Sequence, residues 1–173
     1  MVSRLAAHFS NDPRMQFVVA TDGVGWQVLN EEIAKRQLHN ILLLPLQPFE
    51  IFPQVLASAD ILLVLLEKDA GIFSVPSKVW SGYCASKPTL LAAPQDNLAA
   101  KVTCRINAGV VVSPDDFKGA VTEITVLAAD DERRILMGKN AREFAEKEFP
   151  IGRVADKFEQ VFDETLSPEK FNS

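Results

Sequence analysis

The alternation of apolar and polar segments is clearest in residues 61–94, ILLVLLEKDAGIFSVPSKVWSGYCASKPTLLAAP. Its first apolar run, residues 61–66, is too short to span a bilayer and shows no period-two alternation, which is typical of a strand buried on both faces. After a polar, glycine-containing segment, a helical pattern begins near Pro76 and ends before Pro88. A second apolar run, residues 89–93, is predicted as the next strand. This order of strand, loop, helix and strand indicates a parallel sheet, and such sheets bind ligands at the loops after their strands.

The same alternation continues along the rest of the chain. Predicted strands are residues 16–20, 41–44, 61–66, 89–93 and 109–112, with a turn at 21–25. Predicted helices are residues 2–10, 26–38, 49–59, 98–107, 116–128, 130–148 and 151–165, besides the one that begins near Pro76. Short apolar strands that alternate with helices predict an α/β fold, a Rossmann-like doubly wound parallel sheet flanked by helices.

The composition is that of a globular domain with a sizeable core. The chain has 173 residues, 47% of them hydrophobic and 24% charged, which predicts a single domain over residues 1–166 and a frayed tail at 167–173. The net charge of −5 is spread without a basic face, which argues against nucleic acid as a partner. No apolar run approaches the roughly 20 residues that cross a membrane, and the N-terminal segment lacks the apolar core of a signal peptide. We therefore expect a cytoplasmic protein with at most peripheral membrane contact.

The residue types that usually hold metals or form catalytic sets are sparse. Cys84 and Cys104 match no metal or redox spacing. We expect both to be buried, reduced thiols, because free cysteine usually packs as a small hydrophobic side chain. His8 and His39 lie at a helix end and a turn and receive no catalytic role. No metal site and no cofactor are predicted.

The start of the central helix is the first candidate binding site. A helix that begins near Pro76 presents free backbone N–H groups and a partial positive charge, and both attract phosphate. Ser77 adds a hydroxyl group and Lys78 a cation. From these residues alone the alternative is plain capping, with Ser74 or Val75 as N-cap, Pro76 in the first turn and Lys78 in solvent. Both interpretations stay open at this point.

An ordered set of motifs gives the chain a family resemblance. The motifs are ASADILLVLL, SVPSKVWSGYCASKPTLLAAP and DNLAAKV in the centre, ATDGVGWQVL and NILLLPLQP before them, and RRILMGKNAREFAEKEF after them. Together they resemble the C-terminal, donor-binding domain of family 4 retaining glycosyltransferases of the GT-B fold. The branch that they resemble builds bacterial surface polysaccharides and is related to fucosamine-type transferases. The resemblance implies a hexosyltransferase activity in a complete enzyme, with a nucleotide-diphosphate sugar as donor substrate.

The resemblance also implies roles for individual residues around the central helix. The donor diphosphate is expected on Ser74, Val75, Pro76, Ser77 and Lys78. The family usually places two acids eight positions apart for the ribose and the donor sugar, but the second position is Ser81 here, so that pattern is not preserved. Ser81 is expected to hydrogen-bond a ribose hydroxyl more weakly than a carboxylate would. Asp69 and Glu67 are expected to face the sugar, and solvated loop charges are the alternative.

The expected base region lies earlier in the chain. It comprises Gly23, Gly25, Trp26, Leu46 and Gln47, which stand at the family's Gly-x-Gly turn and at the loop near the nucleotide base. Taken alone, the Gly-x-Gly pattern is weak evidence for nucleotide binding, since it is not the longer dinucleotide fingerprint. The two glycines are expected to serve turn geometry first. Trp26, Trp80 and Tyr83 are expected to belong mainly to the core.

Compared with the family, the chain lacks an N-terminal domain and the first strand of the C-terminal domain. We therefore expect the isolated domain to be catalytically inactive. If the usual strand order holds, the sheet lacks its middle strand, and two internal edges have unpaired backbone groups. The repair expected for these edges is changed pairing or a homodimer. A missing N-terminal GT-B domain is the other expected partner.

Three hypotheses for function follow. The first is the donor-binding half of a retaining glycosyltransferase in polysaccharide or glycan biosynthesis. The second is a non-catalytic assembly module that pairs with a separate N-terminal domain, and the third is an inert remnant that keeps the fold. An apolar stripe with Phe158 and Phe162 on the last helix bears on the second hypothesis. Packing against the same domain is the expected role of that stripe, and an exposed partner surface is the alternative.

Overall fold

The computed structural model describes residues 1–68 and 74–166, so the predicted tail at 167–173 lies outside the described residues. The strands are β1 (Phe17–Ala20), β2 (Ile41–Leu44), β3 (Leu62–Leu65), β4 (Thr89–Ala92) and β5 (Gly109–Val112). The helices are α1 (Val2–His8), α2 (Gly23–Arg36), α3 (Phe52–Ala57), α4 (Ser77–Cys84), α5 (Leu98–Arg105), α6 (Phe117–Ala129), α7 (Asp131–Glu148) and α8 (Ile151–Leu166). The predicted α/β class, with parallel strands flanked by helices, is confirmed.

The strands form two parallel sheets. β1 pairs with β2, and β4 lies between β3 and β5. Within the described ranges no ladder joins β1 to β3. The predicted changed pairing would join β1 to β3 in place of the missing middle strand. That prediction is wrong, because β1 and β3 are not paired with each other. The alternative repair, a homodimer, stays a prediction.

The core occupies both faces of the three-stranded sheet. On one face, Leu91 of β4 packs with Tyr83 of α4 and with small residues of α5 and α7. On the other face, Leu90 packs with Leu5 of α1 and Leu127 of α6. Every residue of β4 is buried, which explains why this strand has a continuous apolar sequence without alternation.

The first turn of α2 differs from the prediction. The expected turn at residues 21–25 is wrong at its second half, because α2 begins at Gly23 and includes Gly25. Asp22 is the N-cap in an extended conformation. Gly23 has a φ of 55°, a left-handed conformation that glycine adopts without the steric cost of a side chain.

The predicted burial of the two cysteines is wrong. Cys84 and Cys104 are both exposed free thiols. Each lies in the last turn of its helix, α4 or α5. The core-facing side of α5 is taken by residues such as Ala99 and Thr103, which leaves Cys104 towards solvent.

The predicted packing of the last helix is also wrong. Phe158 and Phe162 of α8 are 60% and 59% exposed, and the helix has no buried residue. The two rings contact each other, with centroids 6.5 Å apart. The alternative interpretation, an exposed apolar face, therefore describes α8. Within residues 1–68 and 74–166, no helix combines the length and the apolar character that a membrane crossing needs.

The core role expected for Trp80 and Tyr83 is confirmed. Trp80 is partly buried, and its ring contacts those of Tyr83, Phe144 and Phe149. Tyr83 is fully buried, and its hydroxyl lies 2.7 Å from that of Thr103. This aromatic cluster fixes α4 against α7 and so positions the amino end of α4.

The buried phenol predicts a loss of stability at alkaline pH. Burial raises the pKa of Tyr83 from 10.0 to about 12, since the charged phenolate would lose its hydration. The folded state favours the neutral phenol. Its contribution to the free energy of unfolding is therefore complete below pH 10 and is lost as pH rises towards 12. In urea titrations, the free energy of unfolding is expected to fall by up to about 1.4 kcal/mol per pH unit in that window. Tyr83→Phe should remove this slope, and an equal slope in that variant would contradict the assignment.

Candidate functional site

The amino end of α4 lies at the carboxyl edge of the three-stranded sheet. Pro76 is its N-cap, and no side chain among the described residues caps the helix. The N–H of Val79 donates to the Pro76 carbonyl at 3.0 Å, which leaves the N–H groups of Ser77 and Lys78 at the helix end. The first turn contains no acidic residue, and both Ser77 and Lys78 are exposed. The plain capping by Ser74 or Val75 that the sequence leaves open is not what the structure has, since Pro76 holds that position.

A buried asparagine holds the segment that leads into α4. The Nδ2 of Asn97 donates to the Ser74 carbonyl at 2.7 Å. Its Oδ1 accepts from the N–H groups of Ala99 and Ala100 and so caps α5. Asn97 is 1% exposed. One side chain therefore joins the loop after β3 to the loop after β4, and it fixes the backbone from which Val75 and Pro76 continue.

The cap role of Asn97 is predictable from the sequence, whereas its bond to Ser74 is not. The two residues are 23 positions apart, and no periodic or motif signal relates them. Asn97 is thus the positioning residue of the site that sequence reasoning misses.

Of the two acids expected to face the sugar, the structure describes only Glu67. Asp69 lies outside the described residues. Glu67 is exposed and lines a cavity of about 410 Å³ with Leu66, Met1 and Ala92. Beside it, the Nζ of Lys68 lies 3.4 Å from a carboxylate oxygen of Asp115, and both side chains line the same cavity. Sequence reasoning does not select this ion pair, which adds charge of both signs near Glu67.

Ser81 lies one turn into α4 from the open end. Its hydroxyl donates to the Ser77 carbonyl at 3.3 Å, a weak bond at that length. Its side chain is partly exposed. Rotation about the Cα–Cβ bond would free the hydroxyl for a ligand, and the backbone hydrogen bonds of α4 would stay intact.

The expected base region lies at the carboxyl ends of β1 and β2. These ends are neighbours, because the N–H of Thr21 donates to the Leu44 carbonyl at 3.0 Å. Trp26 is partly buried in α2, while Gly23 and Gly25 are exposed in its first turn. In the loop after β2, Leu46 is 60% exposed.

Gln47 is tied to its own loop. Its Nε2 donates to the Pro45 carbonyl at 2.8 Å, which leaves the side-chain oxygen for other partners. The loop contains prolines at positions 45 and 48 and is therefore extended.

The residues expected at the donor site fall into two groups, one after the strands of each sheet. Parallel strands end at one edge of a sheet, so the residues after β3 and those before α4 lie near one another. The base-region residues follow β1 and β2, which belong to the other sheet. No residue of the base region and none of residues 74–81 lines the cavity beside Glu67. The residues expected at the phosphate and those expected at the base thus both follow the carboxyl ends of strands, and neither group lines the cavity beside Glu67.

Sequence comparisons find no match among protein-family models or curated proteins. Comparison with solved structures does find neighbours of the same fold. HepE from Anabaena, solved in complex with UDP, is similar with a TM-score of 0.76 and 15% identity over 95% of this chain. Sucrose-phosphate synthase from Thermosynechococcus elongatus gives 0.77 and 16% over 95%. WaaG, a glycosyltransferase involved in lipopolysaccharide biosynthesis, gives 0.72 and 17% over 96%.

These neighbours define the class of the fold. They are GT-B glycosyltransferases, and the chain has the Rossmann-like α/β fold of one part of them. It spans 45% of HepE and 42% of each of the other two chains. At identities of 15% to 17%, the likeness concerns the fold.

Proposed function

We propose that this domain is the donor-binding half of a retaining glycosyltransferase, and that it binds the diphosphate of a nucleotide sugar at the amino end of α4. The observation that carries the proposal is this helix end, which no side chain of residues 1–68 or 74–166 caps. Ser77 and Lys78 present backbone N–H groups there, no acid lies in the first turn, and the Lys78 side chain adds a cation. A helix end of this kind favours phosphate through its dipole and its unpaired donors. The fold it shares with glycosyltransferases, one of them solved with UDP, supports the assignment.

The proposed chemical role is stabilisation of the leaving group. When the bond between the sugar and the diphosphate breaks, negative charge grows on the diphosphate oxygens. Fixed N–H donors and the Lys78 ammonium would stabilise that charge more in the transition state than in the ground state. Transfer of the hexosyl group also needs an acceptor held beside the donor sugar, and we assign the acceptor to a part of the enzyme outside this chain. Alone, the domain is expected to bind and not to turn over.

Secondary donor contacts complete the proposed site. Glu67 and Asp69 are assigned to the sugar, and Ser81 to a ribose hydroxyl. Trp26 and Leu46, with Gln47 and the two glycines of α2, are assigned to the surroundings of the base. We expect each of these contacts to contribute less to donor binding than the diphosphate contact does, because none of them combines a full charge with a helix end. We place the complete enzyme in cytoplasmic polysaccharide biosynthesis, without a metal or cofactor.

Lys78→Ala tests the proposal directly. Loss of one charge-assisted contact is expected to weaken UDP or GDP binding about tenfold. Isothermal titration calorimetry of the chain with UDP, GDP and their sugar conjugates measures this and also identifies the base. Lys139→Ala is the matched control, because Lys139 is an exposed lysine of α7 that pairs with Glu143. Equal affinities in the two variants would exclude Lys78 from the site.

Exposed apolar faces favour the assembly module as a second candidate. Phe158 and Phe162 lie exposed on α8. Val18 of β1 and Leu42 of β2 are register partners and are 50% and 48% exposed, so one face of the two-stranded sheet is also uncovered. An absence of nucleotide binding in a folded protein would leave this candidate, or an inert remnant, in place of the donor half.

A further inference from the structure

β5 is the outer strand of the three-stranded sheet, and its outer edge pairs with no other strand of the described chain. In a parallel strand, each residue directs its N–H and its C=O to the same side, and the side alternates along the chain. The N–H of Ala93 donates to the Val112 carbonyl at 3.0 Å, so Val112 faces β4 and Val111 faces away from it. Within residues 1–68 and 74–166, the N–H and the C=O of Val111 have no hydrogen-bond partner. This edge can therefore take one more strand.

A cleft of about 560 Å³ lies beside this edge. It is lined by one residue of β5, one residue of the loop after β4 and four residues of α5, namely Val111, Gln95, Ala100, Lys101, Cys104 and Arg105. Ala100 is buried and Val111 is half-buried, which makes this part of the lining apolar. Lys101 and Arg105 are exposed. The cleft thus combines a free strand edge, an apolar surface and two cations.

The Arg105 guanidinium has no partner among the described residues. Every other arginine in that part of the chain has an ion pair, a carbonyl contact or an aromatic contact. The Nζ of Lys101 lies 3.5 Å from a carboxylate oxygen of Asp96, whose side chain is 90% exposed. Such a surface pair contributes little and is easily exchanged for another. Both cations are therefore free to bind carboxylates of a partner, and arginine can do so through two parallel hydrogen bonds.

The spacing of the two cations matches the spacing of side chains along a strand. Lys101 and Arg105 are four residues apart, so they lie on one face of α5, about 6 Å apart along its axis. Residues i and i+2 of a strand lie on one face of the sheet, about 7 Å apart. Val111 packs on the core cluster that includes α5. In an antiparallel pair, the residue opposite Val111 has its side chain on the same face, which is the face of α5.

We propose that the outer edge of β5 binds an acidic segment of a partner protein as an added antiparallel strand, with acidic residues at positions i and i+2 beside Lys101 and Arg105. Backbone hydrogen bonds to β5 hold such a strand, and the two carboxylates select it. A second copy of this chain is a poorer occupant, because none of its described strands contains an acidic residue. This inference does not depend on the proposed donor site, since no residue of α4 lines the cleft.

The two exposed cysteines test the site within one chain. Cys104 lines the cleft, whereas Cys84 of α4 is exposed and does not line it. The probe is a synthetic peptide of about eight residues, with glutamates at two alternate central positions among threonines and valines. At a peptide concentration about tenfold above its Kd, alkylation of Cys104 by iodoacetamide should slow about tenfold, and alkylation of Cys84 should not change. Mass spectrometry of the two labelled cysteines measures both rates. The same peptide with glutamine for both glutamates should bind at least about tenfold more weakly.

N-methylated peptides separate backbone pairing from charge. In the proposed register, the N–H groups of both glutamates point towards β5, and that of the residue between them points away. Methylation of both glutamate nitrogens should abolish the protection of Cys104. Methylation of the nitrogen between them should leave the protection unchanged. Equal effects of the two modifications would overturn strand pairing.

Arg105→Gln adds a test on the protein side. It should weaken binding of the glutamate peptide about fivefold. Arg14→Gln is the matched control, because it changes the net charge equally and Arg14 pairs with Asp12 outside the cleft. Equal affinities in the two variants, or no protection of Cys104 in a folded protein, would overturn the proposal. Equal protection by pyrophosphate would also overturn it and would assign the cleft to a small anion.

Discussion

Replacing Gly109 with alanine is expected to destabilise the domain by about 3 kcal/mol, at the upper end of what overpacking usually costs. Gly109 begins β5 directly opposite Thr89 of β4. A Cβ atom at this position would overlap the Thr89 carbonyl oxygen and would lie 2.9 Å from the Thr89 nitrogen. These are backbone atoms of the central strand, so they cannot move aside as a flexible side chain could. The β4–β5 ladder must therefore shift.

Urea unfolding followed by circular dichroism measures this loss. Gly152→Ala is the matched control, because a Cβ atom there meets no atom within 4 Å. Alanine favours a helix interior over glycine by about 1 kcal/mol, so the control should be neutral or slightly stabilising. A Gly109→Ala variant as stable as the control would show that the close approach of β4 and β5 is wrong.

Replacing Asn97 with alanine is expected to have the second large effect. The variant loses the α5 cap, which costs about 1 kcal/mol. It also leaves the part-buried Ser74 carbonyl without this partner, which costs about 1 kcal/mol more. Because Ser74 leads into α4, nucleotide binding should also weaken. Unfolding and calorimetry on the same preparation measure both changes.

Asn97→Asp separates the two roles of this side chain. A carboxylate can still accept from Ala99 and Ala100, but it cannot donate to the Ser74 carbonyl. We expect this variant to keep the cap and to lose nucleotide affinity. Unchanged affinity in Asn97→Asp would mean that the bond to Ser74 does not position the site.

The strands are the part of the fold that the sequence predicts well. A strand buried on both faces needs apolar residues at every position, so runs such as residues 61–66 and 89–93 identify β3 and β4 directly. The first turn of α2 is predicted less well. Its glycines have the composition of a turn, yet Gly25 is helical and only Gly23 has a positive φ.

Features that depend on tertiary contacts could not be predicted in the same way. The exposure of Cys84 and Cys104 depends on which faces of α4 and α5 are turned towards the core. Phe158 and Phe162 have the spacing of a packed face, but no element of the described chain covers them. The bond from Asn97 to Ser74 joins two loops that only the parallel sheet brings together.

The central claim is that the amino end of α4 binds a diphosphate, and backbone amide shifts on titration with UDP test it most directly. The account predicts that the largest shifts fall on Ser77 and Lys78, that pyrophosphate reproduces them, and that uridine does not. Lys101 and Arg105 of α5 line another cavity, to which no residue of α4 contributes. Shifts confined to that cavity, or no shifts in a folded protein, would contradict the claim.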